Sequence, residues 1–522
     1  MKKRKRVQRK YKQMTFDTSV RNPERLMPIL KLIKDYNGKV LDDKTVLEIV
    51  CLIYLNGVTK SDKVHIDEFS TIDSIKASVI RANKSRNSDG GFPKGYQSRF
   101  WTYMRTLSEF GFVYARYNDQ FMISKLTLEY FEEKFDEQEI YAIQSIQYNR
   151  MSPYRRVSND YNYFEFLFNI LKKLKDNGKN YINHFEFIAS TFSYFGDEDE
   201  FIDLIENRDF KSKEEVYKYL EDLDPTILTT EYSYKRVISD YPDTILRVLK
   251  LNGMISLEYK GMLRILLNDD YIEFYKELFK LKSNIVDSQK EDEISYFEYI
   301  NNNANIINKS KEYRIEALPP VETNQRLKSY ITQSSVTLAE IIDELKKIEK
   351  NRDTSNPKFK YFQAPLRLEF LISLLLVSVY NTELEVKPNY KMDSLGAPIT
   401  TAPGRKGDID VYTKDNRFWL IEVTTIKSRQ QQVNSETTTV VRHLLSENGS
   451  YNSRYLSFVA PVIHLDTRAW FDYTIFKHNS LSTDIYIKPS NITDFINVSI
   501  LKNNLIDIEK YSSNVISSMQ IQ

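Results

Sequence analysis

The chain has 522 residues, too many for a single hydrophobic core, so we expect about three domains. Hydrophobic residues make up 41% of the chain and charged residues 28%, a composition typical of an ordinary folded protein. A single cysteine, Cys51, excludes an internal disulfide framework and favours a reducing compartment, so we expect a cytoplasmic, bacterial protein.

The N-terminal sequence is strongly basic, with eight Lys or Arg among the first twelve residues. Polar sequence follows in place of an apolar run, so we expect no signal peptide. The most apolar stretch, residues 370–380, spans only 11 residues and is too short to cross a bilayer. We therefore expect no membrane partner and interpret this stretch as a buried helix.

Positive charge is clustered locally, although the formal net charge is only +2. Besides the N-terminal tail, a second basic segment contains Arg81, Lys84, Arg86, Lys94 and Arg99. Such clusters can be solvated surface, but they also suit contact with the phosphates of nucleic acid. These five side chains are candidates for DNA binding.

The chain contains an internal repeat at an offset of 142 residues. The Thr, Arg, Leu and Gly at positions 102, 105, 107 and 111 match those at 244, 247, 249 and 253 without gaps. In both copies the glycine follows a predicted amphipathic helix and precedes two short apolar strands joined by a turn.

This order of elements is typical of a winged helix, and two tandem copies favour docking on DNA with one helix in the major groove. Arg105 and Arg247 occupy equivalent positions and are further candidates for DNA contact. Two alternatives stay open, because winged helices also serve as protein-interaction modules and four matching positions can arise by chance.

Residues 286–356 are polar at first and then carry apolar residues at helical spacing between Leu338 and Ile348. The sequence from Asn351 to Pro357 breaks this helix. We predict a helical linker between a recognition half and a catalytic half. An ordinary helical layer packed on one of the halves is the alternative.

From residue 357 onward the pattern predicts an α/β domain. Its predicted elements are a helix over 365–380, strands near 383–387, 408–413 and 418–425, a helix over 433–446, a strand over 455–462 and a helix over 467–477. Strands flanked by helices in this order resemble the common core of the PD-(D/E)xK nuclease fold.

Two of these strands carry an acidic residue into apolar surroundings, Asp408 and Glu422. Their separation of 14 residues suits neighbouring antiparallel strands joined by the turn at 414–417, which would place the side chains about 5 Å apart. Buried carboxylates need a positive partner, and a divalent cation is the usual one. We predict a magnesium site at Asp408 and Glu422, with Asp410 as the alternative to Asp408.

The residue two positions after the second strand carboxylate is Thr424, whose neutral hydroxyl cannot supply a positive charge to orient an attacking water. Another group or a second metal must therefore orient the water. Glu436 and His443 lie seven residues apart, on nearly one helix face, and are candidate groups, while Lys427 is a weaker one. Glu369 stands alone on an apolar helix. We favour a functional carboxylate there over a surface residue at the helix edge.

Several short motifs share the order and approximate spacing of one known family. They are Thr-Ala-Pro-Gly at 401–404, Gly-Asp-Ile-Asp at 407–410, Ile-Glu-Val-Thr-Thr at 421–425, Ser-Glu-Thr at 435–437, Val-Arg-His-Leu at 441–444 and Phe-Val-Ala-Pro at 458–461. Together they resemble the catalytic domain of the AlwI/MlyI/PleI group of type IIS restriction endonucleases, which includes related strand-nicking endonucleases. A looser likeness extends over the N-terminal half. Gly407 stands where the family pattern has proline, a mild departure.

The resemblance implies that Glu369, Asp408, Glu422, Glu436 and His443 form the active site. Asp408 and Glu422, supported by Glu369, would bind Mg²⁺, for which Mn²⁺ can substitute, and Glu436 and His443 would lie near the scissile phosphate. The resemblance also implies an enzyme that binds a short asymmetric site in double-stranded DNA and cuts a few base pairs to one side.

We therefore expect a type II site-specific deoxyribonuclease, with a transient homodimer or a small partner subunit for cleavage of the second strand. A strand-specific nicking endonuclease, or the large subunit of a heterodimeric restriction enzyme, is one alternative. A non-catalytic, sequence-specific DNA-binding protein is another.

The predicted fold class is multi-domain, mainly α with α/β. It comprises two tandem winged-helix-like DNA-recognition subdomains over 1–160 and 161–285, a helical linker over 286–356 and a C-terminal PD-(D/E)xK α/β nuclease domain over 357–522.

Overall fold

The computed structural model describes residues 11–18, 20–59, 61, 63–67, 69–82, 95–155, 159–228, 234–314, 318–402, 406–433, 437–447, 449–479 and 485–520. The chain divides into two compact units. One unit consists of residues 1–255 and 264–314, and the other consists of residues 256–263 and 315–522.

The part of the chain before residue 315 is mainly helical. Its α-helices, labelled α1 to α15 in chain order, are Leu26–Leu32, Asp43–Leu55, Ile72–Ala82, Tyr96–Glu109, Lys125–Phe131, Glu137–Gln147, Tyr163–Asp176, His184–Ser190, Glu198–Asn207, Lys213–Leu223, Tyr241–Leu251, Ile272–Phe279, Asp287–Glu291, Glu293–Asn301 and Ala304–Ser310. Short 3-10 helices cover Pro23–Arg25, Lys34–Tyr36, Asp269–Tyr271 and Lys311–Tyr313, and a π-helix covers Arg236–Asp240.

Five short strands accompany these helices, namely β1 Val113–Tyr114, β2 Met122–Ile123, β3 Ile182–Asn183, β4 Ile255–Tyr259 and β5 Leu263–Leu267. β1 and β2 form an antiparallel pair. The other three form a sheet in the order β3, β5, β4.

The repeated sequence adopts the same local structure in both copies. α4 ends at Glu109, and Gly111 follows with a φ of +67° before β1 and β2. α11 ends at Leu251, and Gly253 follows with a φ of +77° before β4 and β5. A positive φ is accessible to glycine at little cost, so each glycine lets the chain leave its helix and turn into the strand pair.

The part of the chain from residue 315 onward contains the larger sheet and the helices around it. Helices α16 to α23 are Pro320–Gln333, Leu338–Glu349, Ala364–Tyr380, Arg429–Gln431, Thr437–Ser446, Leu465–Asn479, Ile492–Ile500 and Asn504–Gln520. Strands β6 to β12 are Leu384–Pro388, Lys391–Met392, Pro398–Thr400, Ile409–Thr413, Phe418–Val423, Arg454–Ala460 and Ile485–Asn491.

Five of these strands form one mixed sheet in the order β12, β11, β10, β9, β6. β9 lies antiparallel to both β10 and β6, whereas β10, β11 and β12 run parallel. The turn between β9 and β10 contains Asn416 with a φ of +60°. The predicted antiparallel pair of acidic strands is therefore present.

Apolar side chains project from both faces of this sheet, and helices cover each face. Ile409, Val411 and Ile421 pack with the side chains of α18 in one core, while Phe418 and Leu420 pack with those of α20 and α21 in the other. Residues 366–377 of α18 are all buried, as expected for a helix that is apolar around its circumference. The predicted buried helix is confirmed.

The predicted C-terminal elements lie within a few residues of the observed ones, but sequence analysis missed β12 and the last two helices. Residues 485–491 contain Pro489, which argues against a central strand. β12 lies at the edge of the sheet, where a residue without a backbone N–H is tolerated. The paired strands β7 and β8 were missed because each has only two or three residues.

The predicted linker, residues 286–356, contains α13 to α17. Within this predicted linker, residues 286–314 belong to the first unit and residues 315–356 belong to the second. The chain is thus multi-domain and mainly helical, with a mixed sheet in its C-terminal part. None of the helices in the described ranges is long and apolar enough to cross a membrane.

Gly111 and Gly178 allow a matched test of packing against backbone strain. Both have a positive φ, but a Cβ at Gly111 would lie 2.2 Å from Ile300 Cγ2, whereas a Cβ at Gly178 meets nothing within 4 Å. Gly178→Ala should lower the free energy of unfolding by about 1 kcal/mol, from strain alone. Gly111→Ala should lower it by roughly 1–3 kcal/mol more, because of overpacking. Urea unfolding of the two variants checks this, and equal losses would show that the Ile300 contact is unimportant.

Candidate active site

Four elements bring the predicted catalytic residues together at one end of the β9–β10 pair. Glu369 lies in the buried helix α18, Asp408 immediately precedes β9, Glu422 is near the end of β10, and His443 is on α20. The fifth predicted residue, Glu436, lies outside the described residues.

Asp408 is held where the ladder between β9 and β10 ends. The last pair of the ladder is Ile421 with Ile409, so the next position places Glu422 beside Asp408. There the Asp408 side chain replaces the backbone as acceptor, because Val423 N donates to Asp408 Oδ2 at 2.7 Å. This charge-assisted bond aims the carboxylate at the tip of β10.

Glu422 is buried, and its partner is a histidine. His443 Nδ1 and Glu422 Oε1 lie 2.7 Å apart, and both side chains are almost completely shielded from solvent. A histidine bound in this way fixes the orientation of the carboxylate, and it supplies positive charge when it is protonated. The predicted proximity of His443 to the strand carboxylates is thus present in the geometry.

Glu369 is only 5% exposed, so the alternative of a surface residue at the helix edge is wrong. Ala402 N donates to Glu369 Oε2 at 3.3 Å. Burial, and then the nearby negative charge of Asp408, raise the pKa of Glu369 well above its ordinary value. No Lys or Arg among the described residues contributes to this shift.

The donor set fits a hard divalent cation. The buried Glu369 interacts with the half-buried Asp408, a carboxylate of like charge, and an ion between them would relieve the desolvation of Glu369 and the repulsion of the pair. Oxygen ligands of this kind are those that Mg²⁺ prefers. Within the described residues, no group of three or more His, Cys, Asp or Glu side chains is already arranged around one ion position.

Asp410, the alternative to Asp408, has different neighbours. Asn389 Nδ2 donates to Asp410 Oδ2 at 3.0 Å and to the Gly407 carbonyl at 2.9 Å. Burial raises the pKa of Asp410, while the hydrogen bond from Asn389 and the charge of Lys387 oppose that rise. Neither Glu369 nor Glu422 contributes to the shift, and this environment favours Asp408 as the ligand.

The lysine of the general nuclease pattern has no counterpart at position 424. Thr424 Oγ1 accepts a hydrogen bond from Ile426 N at 3.2 Å, so this hydroxyl shapes the turn after β10. Lys427, the weaker candidate, donates from Nζ to the carbonyl of Glu349 at 2.6 Å. Its ammonium is therefore held at the end of α17, whereas the imidazole of His443 contacts Glu422.

Sequence analysis missed two residues that shape this site. Asn389 braces the segment before β9, because its backbone N also donates to the Asp408 carbonyl at 2.9 Å. Gly407 leaves room for the site, since a Cβ there would lie 2.3 Å from Leu420 Cδ1 and 3.0 Å from Glu422 Oε1. The only sequence signal was Gly407 itself, at the position where the family pattern has proline.

The candidate DNA-binding residues have varied surroundings. Arg81 and Arg105 are exposed, and Arg99 Nη1 donates to Thr59 Oγ1 at 2.9 Å. Lys84, Arg86 and Lys94 lie outside the described residues.

Arg247 is largely enclosed by protein. Its Nε donates to Asp243 Oδ2 at 2.9 Å and its Nη1 donates to Asn22 Oδ1 at 2.6 Å. Only 11% of the Arg247 side chain is exposed. These partners favour a structural role over contact with phosphate.

A comparison with known families assigns the chain to a class. The family described as AlwI restriction endonuclease matches residues 108–498, which are 391 of the 522 residues. The match places the chain among the restriction endonucleases. Within that class, it belongs to the AlwI restriction endonuclease family, as the sequence motifs predicted.

Three solved structures are similar to the chain. The small subunit R.BspD6I2 of the heterodimeric restriction endonuclease R.BspD6I is 21% identical, with a TM-score of 0.25 over 35% of this chain and 98% of its own. The BpuJ1 endonuclease binding domain, solved with pyrene- and phenanthrene-modified DNA, is 12% identical, with a TM-score of 0.33 over 56% and 95%. Restriction endonuclease FokI is 13% identical, with a TM-score of 0.23 over 95% and 97%. No curated protein matches, and the family assignment rests on the sequence match.

Glu369→Gln tests the repulsion between the buried Glu369 and Asp408. The pKa of Glu369 in the folded protein is raised well above its ordinary value of 4.5, so folded Glu369 keeps its proton at pH values where the unfolded chain has lost it. The wild-type protein should therefore lose stability as the pH rises above 4.5. Without divalent ions, the variant should lose less stability between pH 5 and pH 8, as measured by urea unfolding. An identical pH dependence in the two proteins would contradict the assigned environment.

Gly407→Ala tests the space in front of Glu422. The added Cβ should lower the free energy of unfolding by roughly 1–3 kcal/mol through its contact with Leu420. It should also lower DNA cleavage by displacing the Glu422 carboxylate. In the double variant with Leu420→Val, stability should partly recover while cleavage stays low. Full recovery of both would show that Glu422 is not displaced.

Proposed function

We propose that this restriction endonuclease is a Mg²⁺-dependent type IIS enzyme, which binds a short asymmetric site in double-stranded DNA and hydrolyses phosphodiester bonds a few base pairs away. The observation that carries the proposal is that Glu422 lies beside Asp408 where the β9–β10 ladder ends, while the buried Glu369 interacts with Asp408. A buried acidic group with this arrangement suits phosphodiester hydrolysis assisted by a divalent ion. It also supports the assignment of residues 357–522 to a PD-(D/E)xK domain.

Asp408 and Glu422 would hold the ion, and Glu369 would complete its oxygen ligands. Magnesium bound there would polarise the scissile phosphate and activate a water molecule. Val423 N holds the Asp408 carboxylate through its hydrogen bond to Oδ2, and His443 holds Glu422 through Oε1. His443, in contact with Glu422, is the residue to which we assign proton transfer in place of the lysine of the general nuclease pattern.

Recognition of DNA is assigned to the N-terminal part of the chain. The two repeats of helix, glycine and strand pair support winged-helix-like subdomains, with α4 and α11 as the helices nearest the strands. The exposed Arg105 on α4 is suitably placed for a phosphate, whereas the enclosed Arg247 on α11 is not. Separation of recognition from catalysis is the arrangement that cleavage outside the recognised sequence requires.

Cleavage of the second strand would need another catalytic centre. A transient second copy of the chain, or a small partner subunit, would supply it. If neither joins the complex, the product is a nick. The retention of both strand carboxylates argues against a non-catalytic DNA-binding role.

Asp408→Asn and Glu422→Gln should each lower cleavage by at least about a hundredfold, because each removes one negative charge from the proposed ion site. Supercoiled plasmid incubated with the protein and Mg²⁺ measures cleavage, and end sequencing maps the cut positions. Binding to a duplex that carries the mapped site should change little. Asp415→Asn in the β9–β10 turn and Glu385→Gln on β6 are matched controls, because they make the same chemical changes at exposed positions of the same sheet.

The controls should cut like the wild-type protein. Normal cleavage by either active-site variant would refute the ligand assignment. Linear plasmid would indicate double-strand cleavage, and accumulation of open circles would indicate a nicking enzyme. Cuts scattered along the plasmid, with no fixed site, would refute the type IIS assignment.

A further inference from the structure

A basic cleft of about 390 Å³ lies in the N-terminal unit, and none of the proposed catalytic residues lines it. Its lining includes four cationic side chains, Lys12, Arg105, Arg150 and Arg155, and one carboxylate, Glu293. Arg105 belongs to α4, the helix that precedes the first repeat glycine, and it is exposed.

The buried Arg150 and the half-buried Arg155 both line this cleft, and among the described residues only Arg155 is paired with a carboxylate. Arg155 pairs with the buried carboxylate of Glu109, to which its Nε donates at 2.5 Å. Arg150 is 1% exposed, and its acceptors among the described residues are neutral. These acceptors are the Tyr161 hydroxyl at 2.6 Å, the Ser193 carbonyl at 2.9 Å and the Lys12 carbonyl.

The positive charge of Arg150 is therefore buried without a counter-ion among the described residues, and its Nε is buried without a hydrogen-bond partner there. A buried charge of this kind is costly unless an anion reaches it. The cleft gives such an anion access to Arg150 beside the exposed Arg105. A phosphate group has the charge and the acceptor oxygens that two guanidinium groups recognise well.

We propose that this cleft binds one phosphate of the DNA backbone, with Arg105 at its mouth and Arg150 in its wall. The proposal rests on the DNA-binding function proposed above and adds to it a definite phosphate position. The site fixes how DNA lies against α4 without reading its bases, because a phosphate contact carries no sequence information. Glu293 opposes binding by charge repulsion and keeps the site selective for strongly held anions.

Two substitutions test the site with opposite signs. Arg105→Gln should weaken binding about tenfold, since it removes a charge-assisted bond at an exposed position that does not hold the fold together. It should also reduce the slope of log affinity against log salt by about 1, because one phosphate contact is lost. Glu293→Gln should strengthen binding about twofold to fivefold, by removing a like charge that is partly screened.

The measurement is fluorescence anisotropy of the full chain with a labelled duplex that carries the mapped cleavage site, in EDTA and over a series of salt concentrations. Lys280→Gln is the control, because Lys280 is exposed, pairs with Glu277 in the same unit and does not line the cleft. It should leave both affinity and slope unchanged. An unchanged slope for Arg105→Gln, or weaker binding by Glu293→Gln, would overturn the proposal.

A second arm separates DNA phosphate from free anion. Inorganic phosphate should compete only weakly with the labelled duplex for the wild-type protein. It should compete equally weakly for the Glu277→Gln variant, a further control outside the cleft. Stabilisation of the wild-type protein by inorganic phosphate, combined with unchanged duplex binding by Arg105→Gln, would assign the cleft to a free anion and overturn the proposal. Failure of the wild-type protein to bind any duplex would instead refute the proposed function itself.

Discussion

The repulsion between the buried Glu369 and the half-buried Asp408 is the constraint on which the C-terminal half depends. Burial and the nearby negative charge of Asp408 raise the pKa of Glu369, and no Lys or Arg among the described residues opposes that rise. An arrangement of this kind lowers the stability of the ion-free protein. The fold keeps it because α18 is anchored by apolar side chains along most of its length, so one unfavourable carboxylate does not displace the helix.

The strand pair β9–β10 places Asp408 beside Glu422. Its ladder ends at Ile409 and Ile421, and the Asp408 carboxylate takes over the next backbone N–H. His443 belongs to α20, which packs on the sheet face opposite α18, and its imidazole contacts Glu422. Each carboxylate thus has one fixed oxygen, an arrangement that orients ligands before an ion arrives and limits the reorganisation needed for catalysis.

The N-terminal half shows a related use of uncompensated charge, with the opposite sign. The half-buried Arg155 is paired with Glu109, whereas the acceptors of the buried Arg150 within the described ranges are neutral. In both halves of this AlwI-family enzyme, the fold therefore places a charge where a bound group of opposite charge would neutralise it. The expected group is a cation near the carboxylates and a phosphate near the guanidinium.

Chain-local patterns were enough to predict much of this protein. The alternating strands around Asp408 and Glu422, the apolar helix with Glu369, and the glycines at 111 and 253 identified the elements, the family and the acidic site. These features depend on residues close together in sequence. Only the tertiary structure decided that Glu422 pairs with His443 and that Asn389 holds the segment before β9. It also decided that Arg247 is enclosed while Arg105 is exposed. The reason is that a side chain's partner comes from whichever distant element packs beside it, and no local pattern records that choice.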